Sequence, residues 1–139
     1  MIKYPARILK DGKFFLAKFL DIPDAMTQGE NMEELQENAE DILSLALSYL
    51  LENNMTIPEP SQQGGDDIIY IKPYHNIALP IMLKKRRKEL NLSQMDVAKK
   101  MNVKYQTYQK LERAKINPTL KTLERAAETL GKKLILDFT

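Results

Sequence analysis

The stretch LKKRRKELNLSQMDVAKKMNVKYQTYQKLERAKINPTLKTLERAAETL, residues 83–130, decides the fold of the C-terminal half of this chain. It reads as a series of short helices separated by tight turns. Pro80, just before it, suits the first turn of a helix that carries Leu83 and Leu90, because a first helical turn leaves its amide hydrogens unpaired. Asn91 can adopt the left-handed conformation that ends such a helix.

Two helices joined by a tight turn form the centre of this stretch. Ser93 can cap the first helix, with Asp96 in the position of its capping-box partner. Ala98 supplies the small residue that the supporting helix needs, and Val103 supplies an apolar residue for burial in the turn. A second helix is expected over residues 104–113, so the spacing predicts a helix-turn-helix.

A last helix and a short apolar tail complete this half. Pro118-Thr119 suits the start of a helix and Gly131 suits its end. Between them lies an apolar stripe at helical spacing, formed by Leu120, Leu123, Ala127 and Leu130. Residues 134–136 fit either a terminal strand or an extended tail.

The second helix of the helix-turn-helix presents a polar face once its inward-facing residues are removed. That face consists of Lys104, Tyr105, Gln106, Thr107, Gln109 and Lys110. The major groove of DNA, about 12 Å wide, admits one α-helix, and there glutamine pairs with adenine while lysine pairs with guanine or phosphate. We interpret this helix as a DNA recognition helix; the alternative interpretation is the solvated face of a small helical bundle.

Four further side chains are candidates for DNA contact. Gln94, at the start of the supporting helix, is placed to contact phosphate and to brace Gln106 or a base. Lys85, Arg86 and Lys115 are candidate phosphate contacts, because cationic side chains position a protein on the DNA backbone. The basic charge, the turn spacing and the polar face agree, and together they favour DNA binding over the solvated bundle.

The N-terminal half begins with a pattern of strands. Its first residues alternate with a period of two, which predicts a half-buried strand with one face formed by Ile2, Tyr4, Ala6 and Ile8. Asp11-Gly12 predicts a two-residue hairpin turn, because both residue types tolerate positive φ. Residues 14–20 form the return strand, which should be central, and a short third strand is expected around Met26-Thr27.

A helix and a further strand follow. Asn31 can cap the helix with Glu34 as its reciprocal partner, and the helix should end near Asn53-Asn54. Its apolar stripe is expected to consist of Leu35, Ala39, Ile42, Ala46 and Tyr49 or Leu50. Residues 58–67, PEPSQQGGDD, are typical of a mobile loop, and residues 68–71 of a strand that returns to the sheet.

These patterns predict an α+β fold with two domains. Residues 1–75 would form a small β-β-(β)-α-β sheet-and-helix domain, and residues 76–139 an all-α helix-turn-helix domain. Charge changes sign between them: residues 1–75 hold 6 Lys and Arg against 13 Asp and Glu, whereas residues 76–139 hold 15 against 6. The basic half suits DNA, and the acidic half suits a basic protein partner.

Composition excludes several kinds of site. The chain has no cysteine and a single histidine, so disulfides, thiolate metal sites and a histidine metal cluster are not available. No apolar run reaches the roughly 18 residues of a membrane span, and no signal-peptide pattern opens the chain. We therefore expect a soluble, cytoplasmic protein without a membrane partner.

The C-terminal half resembles the Cro/C1-type (XRE) helix-turn-helix family. The resemblance rests on LSQMDVAKKMNV, on the pair Glu112-Arg113, and on NPTLKTLERAAETLG, all in family order. Ala114 departs from the glycine that usually follows that pair, so either it adopts a strained left-handed cap or the loop differs. The resemblance implies binding to a palindromic operator in double-stranded DNA as a homodimer or higher homo-oligomer.

The N-terminal half resembles the HicB antitoxin family. The residues that carry the resemblance are 15–20, Asp21-Ile22-Pro23 and Thr27-Gln28-Gly29-Glu30, followed by an acidic amphipathic helix. Asp24 and Ala25 stand where the family usually has glycine and cysteine. Together with the helix-turn-helix, the resemblance covers nearly the whole chain in the expected domain order.

This resemblance implies a fold and a task. The fold is partial ribonuclease-H-like, and the partner is a HicA-like toxin, a small basic ribonuclease that cuts mRNA. The antitoxin of such a type II toxin-antitoxin system occludes the toxin's active site and represses its own operon by binding operator DNA. An acidic surface suits a site built for phosphate, and the candidate toxin contacts here are Asp21, Asp24, Glu30, Glu33 and Glu37.

Two other functions compete with this hypothesis. A metal-dependent nuclease needs converging carboxylates that hold two metal ions, but the acids here fall in predicted turns, loops and a helix face. We therefore assign no catalytic residue, no metal site and no cofactor, and expect that the chain is not an enzyme. The remaining alternative is a stand-alone transcriptional regulator with a ligand-sensing N-terminal domain, with a pocket between the helix at residues 31–54 and its sheet.

Overall fold

A computed structural model of the chain describes residues 2–139 and confirms the α+β class. It divides into two compact units, Met1–Ala78 and Leu79–Thr139. Strands and one long helix make up the first unit, and short helices make up the second.

A four-stranded antiparallel sheet forms the base of the first unit. Its strands are β1 (Tyr4–Asp11), β2 (Phe14–Phe19), β3 (Met26–Gly29) and β4 (Ile68–Ile71), in the spatial order β3-β2-β1-β4. The predicted third strand, the central position of the return strand and the return of the last strand to the sheet are therefore confirmed.

The first hairpin turns one residue later than the sequence predicts. Asp11 is still paired, opposite Phe14, so the two turn residues are Gly12 and Lys13 rather than Asp11 and Gly12. Gly12 has a φ of +60°, which glycine adopts without steric cost. A glycine in the first of two turn positions is the arrangement of a type II′ hairpin, whose twist matches that of the flanking strands.

Helix α1 (Met32–Glu52) begins with the predicted cap. Asn31 Oδ1 accepts a hydrogen bond from the amide of Glu34 at 2.8 Å. The return bond differs from the predicted one, since Glu34 Oε2 accepts from the amide of Glu30 at 3.1 Å, one residue before the cap. The helix end near Asn53 is confirmed.

The buried face of α1 is rotated from the predicted stripe. Leu35 and Ala39 are buried as expected, but the rest of the face consists of Leu43, Ser44, Leu47 and Leu51. The predicted Ile42, Ala46 and Leu50 are half-buried and Tyr49 is 62% exposed. Residues 42–51 are apolar on several sides, so periodicity permits two stripes and packing on the sheet decides between them.

Gly29 lets β3 approach the first turn of α1 closely. A Cβ atom at this position would lie 2.5 Å from the amide nitrogen of Leu35 and 2.8 Å from its Cα. No side chain can be accommodated so close to the backbone. The glycine of the Thr27-Gln28-Gly29-Glu30 motif is therefore a packing requirement.

The predicted mobile loop forms neither helix nor strand, but side chains of the sheet tether it. The Tyr4 hydroxyl donates to the carbonyl of Pro58 at 2.6 Å, and the amide of Ser61 donates to Asp21 Oδ2 at 2.8 Å. The hydroxyl of Tyr70 bonds both the amide and the carbonyl of Gln63. These bonds tie the segment to β1, to the loop after β2 and to β4.

The helices α2 (His75–Glu89), α3 (Gln94–Met101), α4 (Tyr105–Leu111) and α5 (Leu120–Thr129) follow. Pro80 lies inside α2 rather than in its first turn, because the helix begins five residues earlier, at His75. Proline has no amide hydrogen, so one hydrogen bond of the helix is lost. The burial of Ile77, Ala78 and Pro80 offsets the free-energy cost of this loss. The core of the second unit is formed by Leu83, Val97, Ala98, Met101, Tyr108, Leu111, Ala126 and Leu130.

Candidate DNA interface and acidic helix face

Helix α3 has well-defined ends, as the sequence predicts. The Ser93 hydroxyl accepts from the amide of Asp96 at 3.0 Å, and the Asp96 carboxylate accepts from the amide of Ser93 at 2.8 Å. The hydrogen bond from the backbone of Ser93 is the main cause that lowers the pKa of Asp96. Asn102 then adopts a left-handed φ of 57° and ends the helix.

The polar face of α4 is exposed to solvent. Lys104 is the N-cap of this helix, which spans Tyr105–Leu111 and so ends before the predicted Arg113. Tyr108 and Leu111 are buried beneath it, as expected. The structure leaves five predicted DNA contacts exposed on or just before α4, namely Lys104, Gln106, Thr107, Gln109 and Lys110.

Gln94 and Tyr105 are joined to each other. The Tyr105 hydroxyl donates to Gln94 Oε1 at 3.2 Å, and Gln94 Nε2 donates to Glu112 Oε1 at 3.2 Å. Both residues are half-buried. Gln94 therefore braces Tyr105 rather than Gln106, which was one of the two partners that the sequence suggested, and its amide is held in one orientation at the start of α3.

The carboxylate of Glu112 organises the base of this interface. Arg87 donates to it twice, from Nε at 2.7 Å and from Nη2 at 2.9 Å, and donates from Nη1 to the carbonyl of Leu92 at 2.9 Å. Burial is the largest single influence on Glu112 and opposes its ionisation, but the hydrogen bonds and positive charge of Arg87, together with the other polar neighbours of the carboxylate, outweigh it and lower the pKa of the carboxyl. The pair therefore stays ionised and fixes α2 to the end of α4.

Tyr108 packs against this ion pair. Burial, and then the neighbouring Glu112 carboxylate, raises the pKa of its hydroxyl. Among residues 2–139, however, no partner meets the geometry of a hydrogen bond to that hydroxyl. The phenol therefore stays neutral and serves chiefly as an apolar support for α4.

The three candidate phosphate contacts differ in their surroundings. Lys85 and Lys115 are exposed. Arg86 is half-buried, since its Nε donates to the carbonyl of Leu130 at 2.8 Å and its Nη1 lies 3.2 Å from Glu89 Oε2. Arg86 therefore satisfies a carbonyl at the end of α5, which sequence reasoning missed because the two positions are 44 residues apart.

The departure at Ala114 is accommodated by a different loop. Ala114 is not among the residues with positive φ, and Lys115, the next residue, takes the left-handed conformation with φ +64°. Of the two possibilities that the sequence left open, the altered loop is the one observed. The left-handed position is thus occupied by a residue with a Cβ, which costs about 1 kcal/mol.

The acidic residues that are candidate toxin contacts lie at one end of α1 and in the loops before it. Glu30, Glu33 and Glu37 are exposed around the helix start, and Asp24 is exposed in the turn between β2 and β3 with φ +64°. That φ explains why the family usually has glycine at this position. Asp21 is half-buried and accepts the Ser61 amide, so its carboxylate is partly occupied within the fold.

Two large apolar side chains on α1 face solvent, and the sequence analysis did not single them out as a surface. Leu45 is 65% exposed and Tyr49, one turn later, is 62% exposed. Asp41, one turn before Leu45, accepts a hydrogen bond from the Tyr74 hydroxyl, and this bond raises the pKa of Tyr74 to about 12. In the sequence, the signal for this surface was the second apolar stripe along α1, which contains Leu45 and Tyr49 and is not needed to cover the sheet.

Within residues 2–139, no group of three or more His, Asp or Glu side chains is placed to hold a metal ion. No helix in this described part of the chain is long and apolar enough to cross a membrane.

An acidic sheet-and-helix unit followed by a capped helix-turn-helix defines a two-domain DNA-binding protein. Residues 83–136 match a family described as helix-turn-helix. Residues 3–84 match a family described as HicB-like antitoxin of bacterial toxin-antitoxin systems. This chain belongs to the HicB-like antitoxin family and carries a C-terminal helix-turn-helix of the Cro/C1 type, so both resemblances seen in the sequence are confirmed.

Relatives support this assignment over most of the chain. Antitoxin HicB 1 of Photorhabdus laumondii is 29% identical over 139 residues, which cover 99% of this chain and 87% of the relative. Antitoxin HicB of Escherichia coli is 30% identical over 122 residues, 88% of each chain. A solved structure described as the HicA3 and HicB3 toxin-antitoxin complex aligns with 52% of this chain and 99% of its own at a TM-score of 0.45 and 20% identity, too low a similarity to transfer further properties.

Proposed function

We propose that this chain is the antitoxin of a type II toxin-antitoxin system. It neutralises a HicA-like, mRNA-cleaving ribonuclease by covering its active site, and it represses its own operon by binding operator DNA as a homodimer or higher homo-oligomer. The observation that carries the proposal is the joining of two surfaces in one chain: the acidic, partly apolar outer face of α1 and the exposed polar face of α4.

The outer face of α1 supports the toxin-binding role. Glu33, Glu37 and Asp41 bring negative charge to one end, and Leu45 and Tyr49 add exposed apolar area after them. Acidic groups steer a basic partner and compete for a site built for phosphate. Exposed aromatic side chains are the usual energetic anchors of such interfaces. Asp21, Asp24 and Glu30 would flank this surface.

The exposed face of α4 supports the operator-binding role. Gln106 and Lys110 lie one turn apart and present the groups that read adenine and guanine edges. Lys104, Thr107 and Gln109 extend the same polar face, while Lys85 and Lys115 supply positive charge for the phosphate backbone. Gln94 and Tyr105 hold the start of α4 in place from α3.

Co-expression with the protein encoded by the adjacent small open reading frame tests the proposal first. Rescue of growth and a co-purified complex are expected. Leu45→Ala with Tyr49→Ala should weaken the complex, whereas Leu9→Ala, which removes an apolar side chain 46% exposed on β1, should leave it intact. Absence of any complex would overturn the proposed antitoxin role. The chain would then be a stand-alone DNA-binding regulator.

The proposed operator-binding role has its own test. Gln106→Ala with Lys110→Ala should abolish discrimination between operator and unrelated DNA in a gel-shift titration, while toxin neutralisation is retained. Loss of both activities in this variant would contradict a division of labour between the two surfaces.

A further inference from the structure

Four side chains of the second unit form a chain of hydrogen bonds that leads from the buried ion pair to the start of α4. Arg87 donates to both carboxylate oxygens of Glu112. Gln94 Nε2 donates to Glu112 Oε1 at 3.2 Å, and the Tyr105 hydroxyl donates to Gln94 Oε1, also at 3.2 Å. Each member of this chain fixes which atom of the next one donates and which accepts.

The ionised carboxylate of Glu112 sets the first direction. Its side chain is 3% exposed, and the two hydrogen bonds from Arg87 keep it ionised. A carboxylate without a proton can only accept hydrogen bonds. The amide of Gln94 must therefore turn its NH2 group toward Glu112, because the opposite orientation would set two acceptor oxygens against each other.

The second direction follows from the first. With the NH2 group of Gln94 toward Glu112, its carbonyl oxygen faces Tyr105, and that oxygen has no hydrogen to donate. The phenolic hydrogen of Tyr105 is therefore committed to Gln94. An unconstrained tyrosine hydroxyl can either donate or accept. The hydroxyl of Tyr105 has only the lone pairs of its oxygen left for a further partner.

Tyr105 lies where this polarity can be used. It is the first residue of α4 and is half-buried, so part of its side chain remains accessible. In helix-turn-helix proteins, the N-terminal residues of the second helix contact base edges in the major groove. We propose that the Tyr105 hydroxyl is an acceptor-only base reader, which selects adenine or cytosine at the operator position that faces the start of α4. This inference rests on the proposed operator binding and specifies one element of its sequence preference.

The major groove distinguishes an acceptor of fixed polarity from an unconstrained hydroxyl. Adenine N6 and cytosine N4 are donors there, whereas guanine O6 and thymine O4 are acceptors. Each base pair has one such donor and one such acceptor, on opposite strands. An acceptor close to one strand therefore favours adenine or cytosine on that strand and meets a repulsive oxygen when the pair is reversed. A hydroxyl free to donate would tolerate all four bases.

Selection of binding sites by the full-length protein from a pool of random duplex DNA, followed by sequencing, tests this inference. The wild type should enrich adenine and cytosine at one position about fivefold or more over guanine and thymine. Tyr105→Phe keeps the ring and removes the hydroxyl, so this position alone should lose its preference while the rest of the selected site is retained. A merely structural hydroxyl would weaken binding to every site and leave the selected sequence unchanged.

Tyr108→Phe is the matched control. It removes a hydroxyl from the same helix, but from a side chain that is buried in the core. The preference for adenine or cytosine should persist in this variant, which shows that the loss of a hydroxyl from α4 does not by itself change the selected sequence.

Glu112→Gln tests the origin of the polarity. The new amide can donate as well as accept, so Gln94 can turn and the hydrogen of Tyr105 becomes available to the DNA. Guanine and thymine should then be selected as often as adenine and cytosine at that position. The selection is carried out at a temperature at which circular dichroism shows that the variant is folded, and base frequencies within the site are compared rather than affinities.

The outcomes separate this inference from the operator-binding role on which it rests. A wild-type protein that enriches no sequence would overturn operator binding itself. If the wild type selects a site, two results would overturn the role of Tyr105 alone: a Tyr105→Phe variant that keeps every preference, or a lost preference that is for guanine or thymine. A preference retained in Glu112→Gln would show that the carboxylate does not set the polarity.

Discussion

Arg87 and Glu112 form a two-pronged ion pair, and each is held by a second partner of its own. The Arg87 side chain is 11% exposed and that of Glu112 is 3% exposed, with Nε and Oε2 separated by 2.7 Å. Arg87 also bonds the carbonyl of Leu92, and Glu112 also accepts from Gln94. One carboxylate thereby links α2, the start of α3 and the end of α4, so the position of α4 depends on it.

Removal of Glu112 should therefore be costly. Glu112→Ala leaves the buried guanidinium of Arg87 unpaired, and we expect a loss of about 3 kcal/mol in the free energy of unfolding, from urea denaturation followed by helical circular dichroism. Glu89→Ala is the matched control, because the Arg86–Glu89 pair is much more exposed and is worth less than about 1 kcal/mol. Equal losses in the two variants would contradict a special role for the buried pair.

The same carboxylate predicts a pH dependence. The pKa of Glu112 in the folded protein is lowered from its ordinary value of 4.5, so the unfolded state binds the proton more tightly. The ion pair's contribution is complete above pH 4.5 and is lost as the pH falls through the lower, folded-state pKa. Urea midpoints measured from pH 6 down to pH 3 should show this loss.

A variant without the titrating group provides the comparison for that measurement. Glu112→Gln should be less stable at neutral pH, and its urea midpoint should fall less steeply on acidification than that of the wild type. The pKa of Asp96 is also lowered, so some acid sensitivity will remain in the variant. Parallel pH profiles for the two proteins would show that Glu112 is not a source of the dependence.

Gly29 yields a prediction for the first unit. Gly29→Ala sets a Cβ against the backbone of Leu35, which neither a rotamer change nor a small shift relieves, and should lower the free energy of unfolding by about 3 kcal/mol. Gly64→Ala, whose Cβ would have no atom within 4 Å, should leave stability within about 0.5 kcal/mol of the wild type. Thermal unfolding of both variants checks the contrast, and a stable Gly29→Ala protein would show that β3 and α1 can separate.

Much of the second unit could be predicted from sequence because its signals are local. The capping box at Ser93 and the left-handed Asn91 each involve neighbours a few residues apart, and the structure has both. The ion pair of Arg87 with Glu112, across 25 residues, carries no local signal and was missed. Arg86 was interpreted from its charge alone, although its hydrogen bond to Leu130 depends on tertiary packing.

The first unit was predicted less completely, for a related reason. The order of elements follows from periodicity and turn residues, but the face of α1 does not, since apolar residues lie on several sides of its second half. The structure buries Leu43 and Leu47 and exposes Leu45 and Tyr49, so Tyr49, one of the two alternatives predicted for the end of the buried stripe, is a surface residue. The acidic part of the candidate toxin surface was therefore predicted, but its apolar part became visible only with the packing of the helix on the sheet.

The left-handed conformation of Lys115 yields a prediction about stability. Because its φ is +64°, Lys115→Gly removes the steric cost of a Cβ in the left-handed region and should raise the free energy of unfolding by about 0.5 kcal/mol. Ala114→Gly, one residue earlier, relieves no such conformation and should lower stability slightly. Thermal unfolding compares the two variants. An equal effect at both positions would contradict the left-handed assignment to Lys115.

Lys85 and Arg86 should respond differently to removal, although both are basic residues at the same end of α2. Lys85 is exposed, so Lys85→Ala should weaken DNA binding evenly across sequences and reduce the slope of log affinity against log salt by about 0.9. Arg86 is bound to the carbonyl of Leu130 and to Glu89, so Arg86→Ala should mainly lower the thermal stability of the second unit and change the salt slope little.

Fluorescence anisotropy titrations with operator DNA at several salt concentrations, together with thermal unfolding, distinguish these effects. Lys132→Ala, which removes an exposed charge outside the predicted contacts, controls for the net charge of the protein. If Arg86→Ala were as stable as the wild type and reduced the salt slope as much as Lys85→Ala, its guanidinium would contact phosphate, and the bond to Leu130 would not be its main role.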